Sequence, residues 1–416
     1  MGLGFSIYFP VGKKPSIFGN KPNTSKEHYT KYFSELPSVV PGWNPVGHFD
    51  DEGFCVKLVP FEEDIYGKWE DGRLSVSART NGAGPGYHAW LIGIMDGLGV
   101  APVEVEDETG YWDDRDFGLL QNEMANWLKS MSEQLLEMSK TGEYSNISVS
   151  MPLDDFPEDS NHFACCPLGY FEPDFFERIN NGEAGGEAFF IWWNQKQDAL
   201  FFRNCALSLI LCDNNWLPPC TDKEREIIAA TLHCLETAYD MDPGLDYPAP
   251  EWLELAGLSG DEELAGTIQN RFGEIGNAEL GYRRGNICSN INGWRFSHSG
   301  TMHFERDDDG TLAWWNEERT INASTLSVRR EDGAQADSEA LLNHLIRNET
   351  DCLPVSLRNA QIAAAIQHAQ IEENGEPLWQ TRLSAALENE ILILSIFYID
   401  EADRDWATEI CASVSR

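Results

Sequence analysis

Between a stretch expected as a strand, Leu74-Ser75-Val76, and a stretch expected as a helix, His88 to Leu98, lies Arg79-Thr80-Asn81-Gly82-Ala83-Gly84-Pro85-Gly86-Tyr87-His88. Gly82, Gly84 and Gly86 let a backbone approach a ligand closely, and the helix that follows points unpaired N–H groups and a positive dipole end at whatever sits there. With Arg79 or Arg115 to hold an anion, Tyr87 as a hydrogen-bond donor and His88 as an acid–base group, the loop from Asn81 to His88 is a candidate nucleotide or phosphate site. It departs from the known phosphate patterns. It is neither G-x-x-x-x-G-K-[ST] nor a true G-x-G-x-x-G, and it has no lysine. The plain alternative is a tight loop that needs positive φ.

A second constellation follows. Glu104, Glu106, Asp107 and Glu108 precede Thr109-Gly110-Tyr111-Trp112-Asp113-Asp114-Arg115-Asp116, which sets seven carboxylates against one guanidinium. Crowded carboxylates raise one another's pKa, so the group could hold a cation or form an acid–base pair with His88. It could instead meet a basic partner surface, with Tyr111, Trp112 and Arg115 as the anchors that dominate interfaces. A solvated lead into an acid-rich helix start is the third reading.

Other patterns carry less. Glu305-x-Asp307-x-Asp309-Gly310 opens like a calcium loop, but Asn316 stands where the bidentate Glu belongs, and Asp-Gly between two apolar runs reads as a hairpin turn. The ten cysteines are scattered without paired knuckles, and no G-x-S-x-G, H-E-x-x-H, P-loop or kinase set occurs. No catalytic residue, metal or cofactor is therefore assigned.

The elements that must position these groups follow from periodicity. Phe5, Ile7 and Phe9 alternate as in a strand, and Phe117, Leu120, Met124, Trp127, Leu128, Met131 and Leu135 recur at helical spacing. Thr221 to Glu224 is a capping box that opens another helix. Ile362, Ala363, Ile366 and Ala369 suggest a third. Phe189 to Trp193, Ala206 to Cys212, Leu378 to Leu383 and Glu390 to Ile399 read as strands.

The fold class expected is α/β or α+β, in two domains that are diverged copies of one sheet-plus-helix unit. Both halves read strand, loop, helix, at Leu74-Ser75-Val76 and at Leu326-Ser327-Val328, and both later show two strands, an aspartate and a helix. The boundaries expected are 1–242 with an insertion at about 105–175, a Pro/Gly-rich linker at 243–261 that could hold one short helix at Glu251 to Ala256, and a shorter copy at 262–416.

The whole chain of 416 residues carries 69 acidic against 30 basic side chains, a formal net charge of −39. Such a field repels nucleic acid and anionic membranes and draws cationic partners. Neither a membrane span nor a signal peptide is apparent, so a cytoplasmic setting is expected. The function expected is a non-enzymatic binding protein, an inhibitor, immunity-type protein or adaptor, that docks a basic protein partner through an acidic, aromatic-containing surface. The alternatives are an enzyme or phosphate sensor built on loop 81–88, and an acidic scaffold subunit or nucleic-acid mimic.

Overall fold

The computed structural model describes residues 2–12, 22–141, 147–151, 155–158, 161–307, 310–328, 335–347, 349, 351–373 and 375–416. The protein is α+β, and it divides into two compact units. One comprises 1–152, 159–214 and 221–281, the other 153–158, 215–220 and 282–416. The division falls after Gly281 rather than within 243–261. The short helix expected at Glu251 to Ala256 is present and longer, Ala249–Ser259, with Trp252, Leu255 and Ala256 buried. Pro248 and Pro250 sit at the helix start, where a missing N–H costs nothing, so the prolines that suggested a linker begin a helix.

The first unit holds an antiparallel sheet of β1 (Gly4–Pro10), β2 (Val46–Phe49), β3 (Gly53–Lys57), β4 (Ile65–Glu70), β5 (Arg73–Arg79) and β6 (Glu104–Asp107), in the order β2-β3-β4-β5-β1-β6. Phe5, Ile7 and Phe9 alternate into one face, opposite Ala78, Val76 and Leu74 of β5. Helix α1 (Lys26–Ser34) covers that face through Tyr29, whose ring lies 6.1 Å from Phe9, and through Phe33, stacked at 4.4 Å on Phe54. Helix α2 (Pro85–Gly97) meets the same face where His88 touches Phe5 edge-on.

The expected helix at 117–135 is present as Phe117–Thr141, burying Leu120, Met124, Leu128 and Leu135, and the capping box opens Asp222–Met241 as expected. Two expected strands are not strands. Phe189 to Trp193 is irregular, and Ala206 to Cys212 belongs to a helix, Ala199–Ser208, continued by a π turn, Leu209–Asp213. An apolar run without alternation suits a buried helix as well as a buried strand, and the Asp198 side chain caps this one by accepting from Phe201 N–H at 2.9 Å.

The second unit holds a seven-stranded antiparallel sheet in the order 303–306, 312–315, 319–327, 390–398, 376–387, 363–373, 353–354, and a smaller sheet of 155–157, 286–291 and 294–299. The expected hairpin across Asp307 and Gly310 is present, pairing His303–Arg306 with Leu312–Trp315. The helix expected at 362–369 is the strand Ala363–Glu373, which pairs in register with Glu376–Leu387. The turn dipeptide Asn374-Gly375 in the sequence outweighs a short alanine-rich pattern. A strand followed in the chain by a helix thus recurs in both units, at β5 with α2 and at Arg319–Ser327 with Ser338–Leu345, while the later blocks at 189–213 and 378–399 differ in kind.

Candidate functional site

The glycine-rich loop is folded against its own chain. Gly84 adopts φ +107, and its N–H donates to Thr80 O at 2.9 Å. Trp192 N–H donates to Ala83 O at 2.9 Å and Gly86 N–H to Trp192 O at 3.0 Å, so segment 190–192 lies along the loop like an added strand. A Cβ at Gly84 would stand 2.7 Å from Phe190 Cβ and 2.9 Å from Trp192 O, and one at Gly86 would run into the Trp192 ring. These two glycines permit backbone packing. Gly82, Gly84, Gly86, Tyr87 and His88 are all buried, Asn81 is half-buried, and Arg79 is exposed, 3.5 Å from Glu63.

A carboxyl group does occupy the loop, and it belongs to the protein. Buried Glu62 accepts from Ala83 N–H at 2.6 Å and from Glu63 N–H at 3.1 Å, and a Cβ at Gly82 would stand 2.8 Å from its Oε2. Burial pushes this carboxyl up to about 7, against the backbone donors that favour its charge. The buried Tyr87 hydroxyl has no hydrogen-bond partner among the described residues, and burial, with Glu62 and Asp64 nearby, raises it well above the usual phenol range.

His88 joins the two constellations. Its Nδ1 lies 2.9 Å from Thr80 Oγ1, and its Nε2 lies 3.2 Å from Thr109 Oγ1 and 3.4 Å from Asp107 Oδ1. Asp107 also accepts from Thr109 N–H at 2.9 Å, from Thr109 Oγ1 at 2.8 Å and from Trp112 N–H at 2.7 Å. Burial opposes its ionisation, but His88 and these amides outweigh that and hold it at about 2. Asp107 is thus an internal clasp.

The rest of the acidic segment is displayed. Glu104 and Glu106 lie on β6, the edge strand, whose only partner among the described residues is β1. Glu104 pairs with Arg73 at 3.0 Å, and Glu108 accepts from Gly4 N–H at 2.9 Å. Tyr111 is buried beside His88, and Trp112 is half-buried under the Arg115 guanidinium, 4.7 Å from its ring centre. Arg115 is also bound by both Asp96 oxygens, at 2.8 and 3.1 Å, while Asp116 accepts from Gly118 N–H at 2.9 Å. Glu106, Asp113 and Asp114 are exposed, and their side chains are engaged by no ion pair or hydrogen bond among the described residues.

Nothing in the sequence singles out Glu62, and 190–192 reads only as part of a strand, with no sign that it packs along the glycine-rich loop. No family model matches the chain, and no curated protein matches it. Solved structures with partial likeness include a protein of Bacteroides thetaiotaomicron, at 10% identity and TM-score 0.26, covering 29% of this chain and 44% of that one. Another is the solution structure of the cyanobacterial PsbP protein CyanoP from Synechocystis sp. PCC 6803, at 4% identity and TM-score 0.18, covering 35% of this chain and 98% of that one. The functional reading rests on the geometry of this chain alone.

Proposed function

We propose that the protein is a non-enzymatic binding protein of the cytoplasm, an inhibitor or immunity-type protein, that docks a basic protein through β6 and the turn that follows it. One observation carries the reading. The segment's own cation, Arg115, is consumed internally by Asp96 and Trp112, while Glu106, Asp113 and Asp114 face outward unneutralised. With a net charge of −39 behind it, such a patch speeds encounter with a cationic surface, and half-buried Trp112 supplies an apolar anchor beside it. The phosphate-sensor reading is weaker, because Glu62 already takes the loop's donors.

The test is affinity purification from the native host with the wild type and with the triple variant Glu106→Lys, Asp113→Lys, Asp114→Lys. A stoichiometric basic partner is expected with the wild type only, with an association rate that falls about tenfold or more on raising salt. Retention of the same partner by the triple variant, or a wild type that elutes alone, refutes the docking role.

A further inference from the structure

The sheet of the first unit ends at β6 with backbone groups that the fold does not use. Glu108 N–H donates to Gly4 O at 3.2 Å, which makes Gly4 and Glu108 a hydrogen-bonded pair of the antiparallel ladder. Bonded and non-bonded pairs alternate along such a ladder. Ser6 with Glu106 and Tyr8 with Glu104 therefore exchange bonds, while Val105 and Asp107, opposite Ile7 and Phe5, turn their N–H and C=O groups away from β1. Asp107 O is taken by Gly110 N–H at 3.2 Å. The Val105 N–H, the Val105 carbonyl and the Asp107 N–H have no partner among the described residues.

The side chains along this edge alternate in kind. Phe5 and Ile7 are buried, so Val105 and Asp107 lie toward the core face, and half-buried Val105 forms its apolar rim. Glu104 and Glu106 lie on the opposite face, both exposed, with Glu104 held by Arg73 and Glu106 engaged by no described residue. Charge decides what can be added here. A second copy of this chain would set its own Glu104 and Glu106 against these two, like charge directly opposite like charge. A strand with basic residues at alternate positions meets the same row favourably.

Resting on the docking role proposed above, we infer that the basic partner enters as an extended strand added to β6. It places an apolar residue opposite Val105 and a Lys or Arg on either side of it, one facing Glu104 and the other Glu106. Main-chain bonds to Val105 and to the Asp107 N–H set the register, and the charges select the strand.

The experiment uses the full chain and a fluorescein-labelled peptide, Lys-Val-Lys-Val-Lys-Val-Lys, with binding read by fluorescence anisotropy at one salt concentration. Saturable binding is expected. Methylating the valine nitrogens, the donors that meet the Val105 carbonyl, should weaken it about tenfold or more, while methylating the lysine nitrogens, which point away, should change it less than about threefold. Val105→Pro removes an outward donor without touching a bond to β1 and should also weaken binding about tenfold, whereas Val105→Ala, which keeps the donor, should not. A parent peptide that does not bind, equal binding of the two methylated peptides, or wild-type affinity in Val105→Pro each overturn strand addition. If Val105→Pro does not fold, the methylated peptides decide. Failure of the docking role itself reads out elsewhere: the wild type then elutes alone from the host lysate, which overturns both, whereas a captured partner with equal binding of the methylated peptides overturns the added strand only.

Discussion

Two buried carboxylates in the first unit titrate in opposite directions, and their surroundings say why. Glu62 loses more hydration than its amide donors return, so the folded protein keeps a proton that the unfolded chain releases near 4.5. Its contribution to stability is therefore full at low pH and is lost as pH rises through about 7. By linkage the loss amounts to about 3 kcal/mol. Urea unfolding at several pH values should show this decline in the wild type and a flatter profile in Glu62→Gln, which keeps the acceptor and removes the charge. Asp107 is the reverse case, ionised and clasped. Asp107→Ala leaves His88 and the Thr109 and Trp112 amides without their acceptor, at an expected cost of about 2–3 kcal/mol in the same assay. Asp113→Ala, a few residues on and exposed, should cost less than about 0.5 kcal/mol.

At the scale of elements, the glycines of α2 separate by what a methyl group would meet. Gly86→Ala presses on the Trp192 ring and should destabilise by about 1–3 kcal/mol. Gly93→Ala, with nothing within 4 Å, should stabilise the helix by up to about 1 kcal/mol. Thermal unfolding of the pair checks both signs. The same contrast marks what the sequence could reveal. Elements with a clean period or a cap were readable: Phe5, Ile7 and Phe9 alternate because one face of β1 meets a core, and Thr221 with Glu224 announces a helix start. Runs apolar on every side lose their period, so 206–212 reads as a strand although Asp198 caps the helix it belongs to. The loop's place between strand and helix was legible, but its occupant was not. Glu62 meets Ala83 across 21 residues of chain and is one of 69 acids without a distinguishing pattern.

At the scale of the molecule, 39 unbalanced negative charges repel one another over distances set by the salt. The screening length falls from about 30 Å at 0.01 M salt to about 8 Å at 0.15 M. Raising sodium chloride across that range should lift the first thermal transition by about 2 °C or more, read by calorimetry. A charge that only hydrates and a charge that docks both respond to salt, but only docking responds to reversal of Glu106, Asp113 and Asp114. No helix among the described residues is long and apolar enough to cross a membrane.

The small sheet of the second unit borrows a strand from the middle of the chain: Phe156 and Pro157 pair with Cys288 and Ile287. On a ribosome adding about 5–20 residues per second, the earlier segment waits on the order of 10 s for its partner to be made. Severing the gene between the two units would strand that segment on the wrong fragment, so neither half is a clean excision.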